Sequence, residues 1–214
     1  PFLIRTEKRE AIDNNGNLLF KNRITHLVSI TWDQRNNLQQ ELYEMVSSYV
    51  SKTYNKALRN RKKNMCLIFL LIIMQRMVTS STAAIRQSLE RRLNVLQEQR
   101  TRVGNLAEED LDELNIEDGV EDALEAISLD MELEIEELKE IISLAKQAQF
   151  QNQDAKVEPL FNEIDTILSE DRTQKVIIFT EFVATQEYLR NLLINRGYSV
   201  TILNGGMSIE ERNA

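Results

Sequence analysis

Two short polar clusters stand where ligand chemistry is done. Thr180, Glu181 and Phe182 follow the apolar run 176–179, and Gly205, Gly206 and Arg212 follow a second apolar run, 200–203. Fully apolar, β-rich runs suit parallel strands buried on both faces. Between them Val183, Leu189, Leu192 and Leu193 give a helix its apolar side. Strand, helix and strand in that order imply a right-handed crossover, and ligands of such sheets bind outside the carboxyl ends of the strands. The chemistry on offer is phosphate binding. Free amides at a helix start point outward at the positive end of the helix dipole, and Thr180 adds a hydroxyl. At Gly205 and Gly206 backbone can approach a ligand with no Cβ in the way. Residues 208–211 (SIEE) form a capping box. Arg212 then lies one turn into the next helix, within reach of a phosphate or a neighbouring carboxylate. A core role for Phe182 and a bracing role for Arg212 stand beside the binding roles.

The chemistry that is missing matters as much. No GxxxxGK[ST] phosphate loop occurs, and no Asp-Glu box for magnesium. His26 is the one histidine and has no Cys, His or Asp companions for a metal, so it reads as a strand histidine. Cys66 is the one cysteine and lies in an apolar run, as a small buried hydrophobe does. No catalytic residue and no metal ligand is assigned.

The chain has 214 residues, 42% of them hydrophobic, enough for one large or two small domains with a core. Its 2 prolines and 6 glycines favour long helices over an all-β fold. One cysteine excludes a disulfide framework and points to a reducing, cytoplasmic compartment. The net charge of −8 argues against a general nucleic-acid coat protein, but the charge is segregated along the chain. The run MCLIFLLIIM at 65–74 falls well short of the about 20 apolar residues that a membrane span needs. It reads as a buried core helix. The chain opens on Pro1 and carries no visible signal peptide, as a cut piece of a longer protein would.

Along the chain, residues 1–23 hold mixed charge and a turn signal at 13–17 (DNNGN). A strand is predicted over 24–30, where Ile24, His26, Val28 and Ile30 alternate imperfectly with their neighbours. The capping box TWDQ at 31–34 opens a helix to the mid-fifties, carried by Leu38, Leu42, Met45, Tyr49 and Val50. Trp32 and Tyr43 are expected in the core. The basic cluster Lys56, Arg59, Arg61, Lys62 and Lys63 either touches phosphates or solvates a helix end.

One or two long helices are predicted over 63–102, with the cluster at 79–82 (TSST) breaking the helix or capping its second half. A turn begins at Gly104, and 105–118 is acidic and turn-like. Val120, Leu124, Ile127, Met131, Ile135, Leu138 and Ile142 then follow the spacing of a coiled-coil seam. No lysine or arginine occurs from Gly104 to Leu138, whereas Arg76, Arg86, Arg91, Arg92, Arg100 and Arg102 lie on the other arm. An antiparallel helical hairpin with opposed charges follows. Pro159 suits the first turn of a helix reaching about 169, and Gly197 the end of the helix after Phe182.

The stretch KVIIFTEFVATQEYLRNLLINRGYSVTILNGGMSIEER at 175–212 resembles the start of the second RecA-like lobe of Swi/Snf-type DNA-dependent ATPases in helicase superfamily 2. IIFTEF at 177–182 is similar to motif IV and LNGGMSIEER at 203–212 to motif IVa. FLIRTEKREAI with KNRITHLVSITWDQRNNLQQELY is similar to the segment joining the two lobes. LLIIMQRMVTSSTAAIRQSLERRL at 70–93 is similar to the helical insertion of bacterial members. These segments cover roughly two thirds of the chain; the acidic arm at 105–150 matches no motif.

The resemblance implies an α/β, helix-rich fold: a partial RecA-like parallel sheet of the P-loop NTPase type with a long helical-hairpin insertion. It divides the chain into a lobe connector (1–23), a strand and helix leading into the second lobe (24–62), a helical insertion with an acidic antiparallel arm (63–150) and the truncated start of the second lobe (151–214). It makes Thr180, Glu181, Phe182, Gly205, Gly206 and Arg212 nucleic-acid-binding residues on the backbone of double-stranded DNA. Arg5, Lys8 and Arg9 would lie in the connector. ATP and magnesium act in the parent motor, this segment holds no cofactor, and alone it is inactive. Its partners are then DNA, the missing first lobe and the remainder of the second, with self-association through open sheet edges and no membrane. The alternative is a non-enzymatic helical module whose acidic seam binds a basic protein. A helicase acting on RNA is a third reading.

Overall fold

The computed structural model of the chain describes residues 11–19, 24–32, 35–62, 64–111, 118–151 and 154–208, with backbone alone over 102–111 and 118–129. The chain divides into two compact units, Pro1–Ile30 and Thr31–Ala214.

In the first unit a small loop closes where Ile12 and Leu18 form an antiparallel bridge. Asp13 organises it: its carboxylate accepts the amides of Asn15 and Asn17, both at 2.9 Å. Gly16 sits at φ 84°, a left-handed conformation open to glycine. These bonds, that from the Asn17 amide foremost, hold the Asp13 carboxyl below its ordinary value. The strand predicted over 24–30 does not form; the segment is exposed throughout. Alternation marks a strand only where a second chain segment pairs with it in a ladder, and no ladder includes 24–30 among the described residues.

The second unit holds six α-helices among the described residues: α1 (Asn37–Leu58), α2 (Met65–Ser80), α3 (Thr82–Leu111), α4 (Asp118–Phe150), α5 (Val157–Glu170) and α6 (Val183–Asn195). Helices α1 to α4 share one core. α1 contributes Leu42, Val46 and Tyr49, α2 contributes Leu71, Met74 and Val78, α3 contributes Ile85, Leu89 and Leu96, and α4 contributes Ile135, Leu138, Ile141 and Ile142. The sets fall at steps of three, four or seven residues, with Ile141 and Ile142 adjoining, the spacing that lines one helix face.

α1 starts at Asn37, later than the capping box at 31–34 implies. Asn36 holds the N-cap position, and its carbonyl accepts the amides of Gln39 and Gln40 at 3.1 Å. Asp33 and Gln34 lie outside the described residues. Trp32 is exposed rather than core; its ring lies 6.3 Å from that of Tyr43.

α2 is apolar almost all round yet buries only Ile68, Leu71, Met74 and Val78. Met65, Phe69 and Ile72 face outward, Phe69 at 64% exposure, and Cys66 is exposed too, so the helix is not the fully buried one its composition implies. Among the described residues no helix is long and apolar enough to cross a membrane.

The polar cluster at 79–82 ends one helix and opens the next. Ser81 is extended, with φ −162° and ψ 156°. Its hydroxyl accepts the Ala84 amide at 3.1 Å, and the Asp154 carboxylate accepts the Thr82 amide at 3.2 Å. Two of the amides that a helix start leaves unbonded are thereby met. α3 then runs through Gly104, where a turn is predicted, and on to Leu111. One interior glycine costs about 1 kcal/mol, too little to break a helix packed along a partner. Arg92 with Glu134, Arg100 with Glu132 and Lys146 with Glu90 pair across α3 and α4 at 2.8, 2.8 and 3.5 Å, rising residue numbers on one helix meeting falling numbers on the other. The two helices are therefore antiparallel.

α5 and α6 form a second core through Phe161, Ile164 and Leu193, with Ile178, Tyr198 and Val200 against it. Pro159 sits in the first turn of α5, where its missing amide donor is no loss. Gly197, at φ 87°, ends α6: its amide donates to the Ile194 carbonyl at 2.8 Å and the Tyr198 amide to that of Leu193 at 3.1 Å.

The α/β class and the RecA-like parallel sheet are overturned. Among the described residues there is no strand and no sheet. Residues 176–179 and 200–203 have no regular structure and form no ladder, and Ile177, Phe179 and Leu203 are 76%, 91% and 65% exposed. A buried parallel strand needs cover on both faces. Here helices cover one side, touching Ile178 and Val200, and the other side is open. β-branched and aromatic residues fit a half-buried pleated surface where one exists; they do not create it.

Candidate nucleic-acid interface

The segment 176–180 leads into the start of α6. Phe182 occupies the N-cap position with extended backbone and offers no side-chain cap. The first amides of α6 therefore lack the usual side-chain acceptor, the condition under which a helix start receives an anion. Thr180, Glu181 and Phe182 lie along one wall of a cleft of about 450 Å³. The α2–α3 junction also lines it, with Arg76, Thr79, Ser80 and Ser81, and the segment before α5 adds Asp154 and Lys156.

Three hydroxyls fasten the walls together. Thr185 Oγ1, on α6, lies 2.9 Å from Ser80 Oγ and 2.8 Å from Ser81 Oγ. At the rim, Arg76 Nη2 meets Glu181 Oε2 at 2.8 Å. Both side chains are well exposed, and such pairs contribute about 0–1 kcal/mol. Lys156 Nζ donates to the Thr79 carbonyl at 2.5 Å, near the carboxyl end of α2, where a cation is favoured.

Below the rim the site is buried. Asp154 is 5% exposed, and its carboxylate accepts the amides of Thr82 and Lys156. Burial pushes its pKa above the ordinary carboxylate value, against the pull of those amides and of the Gln39 side chain. The Tyr188 hydroxyl is buried with no hydrogen-bond partner among the described residues. Burial, and behind it the Asp154 charge, push the phenol well above its ordinary value.

The glycine turn reaches the same helix by another route. Gln186, one turn into α6, donates to the Leu203 carbonyl at 2.9 Å and accepts from Asn204 Nδ2 at 3.0 Å. Asn204 Oδ1 in turn accepts the Gly206 amide at 3.0 Å, an Asx turn. A Cβ on Gly205 would meet nothing within 4 Å, so packing does not require glycine there. Thr180, Glu181 and Phe182 are thus brought together at the cleft. Gly205 and Gly206 are tied to the first turns of α6 but do not line it. Arg212, Arg5, Lys8 and Arg9 lie outside the described residues.

Sequence reasoning missed Arg76, Ser81, Asp154, Lys156 and Tyr188. The polar cluster after a long apolar run was the available signal for the first two; Asp154, in a segment that looks like a linker, gives none. Of the basic cluster, Lys56 pairs with Asp130, Arg59, Arg61 and Lys62 are exposed on the α1–α2 turn, and Lys63 lies outside the described residues. None of the described members of the cluster lines the cleft. Among the described residues no group of His, Cys, Asp and Glu side chains could hold a metal. Compared with family models, curated proteins and solved structures, the chain matches none.

Proposed function

We propose that this chain is a central part of an ATP-dependent, Swi/Snf-like DNA translocase, in which it grips the phosphate backbone of double-stranded DNA and couples that grip to the helical bundle. The observation that carries the reading is convergence. Two polar segments more than twenty residues apart, each similar to a DNA-contacting motif of that family, both adjoin the start of α6: Thr180 to Phe182 lead into it, and Gly206 is tied through Asn204 to Gln186. The reading rests on those residues and not on a sheet. A helix start without a side-chain cap, a hydroxyl and a rim cation supply what a phosphodiester needs: directed donors and positive charge. ATP and magnesium belong to other parts of the motor, so the chain alone binds DNA and does not hydrolyse ATP.

The test is fluorescence anisotropy with a labelled duplex over a range of salt, on the chain itself and on any longer protein that carries it. Thr180→Ala is expected to weaken duplex binding, and log K is expected to fall linearly with log salt. The longer protein should hydrolyse ATP faster when duplex is added. Binding that ignores Thr180 and salt alike would sink this reading and favour the helical bundle as a protein-binding module. Preference for RNA over duplex DNA in competition would move the substrate to RNA.

A further inference from the structure

Arg76 is the cleft's rim arginine, and it does not belong to either polar cluster. It lies on α2, in the helical bundle, about a hundred residues before the segment it touches, and its partner is Glu181. The contact is single: one guanidinium nitrogen, Nη2, on one carboxylate oxygen at 2.8 Å. Arginine's planar fork matches two oxygens at once, and the paired form is the strong one. Here most of the fork is unused. Thr180, beside Glu181, lines the same cleft and makes no hydrogen bond among the described residues. The other carboxylate of the cleft, Asp154, is taken up by the amides of Thr82 and Lys156.

We infer that Arg76 is a phosphate-binding residue of this interface, and that Glu181 is the stand-in anion a backbone phosphate displaces. A phosphodiester carries one negative charge, as a carboxylate does, so the exchange leaves the local charge balance unchanged. It replaces a one-point contact with a fork, and it brings the Thr180 hydroxyl into use. Both side chains of the present pair are more than half exposed, so Glu181 returns to water without a buried charge being stranded. On this account Glu181 opposes binding, although it sits within the motif-like segment. Arg76, from the bundle, is the residue that lets the bundle sense an occupied backbone.

This inference rests on the proposed DNA-binding role, and the experiment separates the two. Duplex affinity is measured across salt for the unaltered chain, Arg76→Ala, Arg76→Lys, Glu181→Gln and Thr180→Ala. Circular dichroism checks that helix content is kept. Arg76→Ala is expected to weaken binding about tenfold and to lower the salt slope by about 0.9, the loss of one phosphate contact. Arg76→Lys should keep the slope and recover part of the affinity, since a point charge replaces the fork. Glu181→Gln removes the competing charge and should tighten binding several-fold, a gain that damaged folding cannot produce. Unchanged affinity in Arg76→Ala beside a loss in Thr180→Ala overturns the inference and leaves the interface standing. Weaker binding in Glu181→Gln overturns it also, since Glu181 would then be a contact and not a stand-in. No duplex binding by the unaltered chain removes both.

Discussion

Arg92 and Glu134 form a part-buried, two-contact ion pair between α3 and α4. Arg92 Nη2 and Nε reach the same Glu134 oxygen at 2.8 and 3.1 Å, and the side chains are 12% and 16% exposed. The Tyr49 hydroxyl of α1 donates to that oxygen too, at 2.8 Å. Burial, and after it the Glu134 charge, push the Tyr49 phenol well above its ordinary value, so it remains a donor at every working pH. Three helices meet on one carboxylate. Glu134→Ala removes the acceptor that Arg92 and Tyr49 share and is expected to cost about 1–3 kcal/mol, whereas replacing Arg92 and Glu134 together with Met and Leu should be close to neutral. Urea unfolding of the two variants checks this; equal losses would mean that packing, not charge, dominates there.

The bundle core and the outer face of α2 should respond in opposite ways. Leu138 is fully buried, and Leu138→Ala is expected to cost about 2–5 kcal/mol. Phe69 is larger but faces outward, so Phe69→Ser should shift stability by no more than about 0.5 kcal/mol. Denaturation midpoints of the two variants decide. A large loss from Phe69→Ser would mean that α2 is covered on both faces.

Gly197 is required by its backbone and not by its neighbours. A Cβ there would meet nothing within 4 Å, yet φ is +87°. Gly197→Ala should therefore cost about 1–2 kcal/mol through the left-handed conformation alone. Thermal unfolding measures it, and an Ala variant as stable as the unaltered chain would show that α6 ends in some other way.

Asp154 makes a signed prediction about pH. Its carboxyl is held above the ordinary value of 3.8, mainly by burial. Above pH 3.8 the folded chain then keeps a proton that the unfolded chain has lost. The stability this group contributes is full below 3.8 and is lost as pH rises through the raised folded value. Asp154→Asn cannot ionise and should remove that part of the slope. Urea midpoints between pH 3.5 and roughly 7, compared for the two chains, test it; identical slopes would place Asp154 in the ordinary range.

The helical half of the molecule was largely legible. The steps through Leu42 and Tyr49 and through Ile135, Leu138 and Ile142 mark faces that the structure buries, and Gly197 marks a helix end. The segregated charges anticipate the α3–α4 pairs, of which Arg92 with Glu134 is the least exposed. What failed was the step from apolar runs to strands. Val176, Ile177 and Phe179 have strand-like side chains, but a strand is a relation between segments, and local composition cannot say whether a neighbour is present. Gly104 failed for the reverse reason: one interior glycine costs a helix only about 1 kcal/mol, too little by itself to end it. At the cleft, Thr180 and Glu181 were found because they follow an apolar run. Asp154 and Tyr188 owe their roles to burial, which only the assembled fold confers.

The break at Ser81 has a mechanical consequence. α3 begins there, beside hydroxyls shared with Thr185 of α6, and runs for 30 residues. At 1.5 Å per residue that is about 45 Å of stiff rod. Its near end is fastened at the cleft, so α3 is a lever whose fulcrum is the candidate binding site. A turn of about 5° at Ser81 would sweep the far end through about 4 Å over that length, a displacement large enough to make or break a contact with whatever the arm touches.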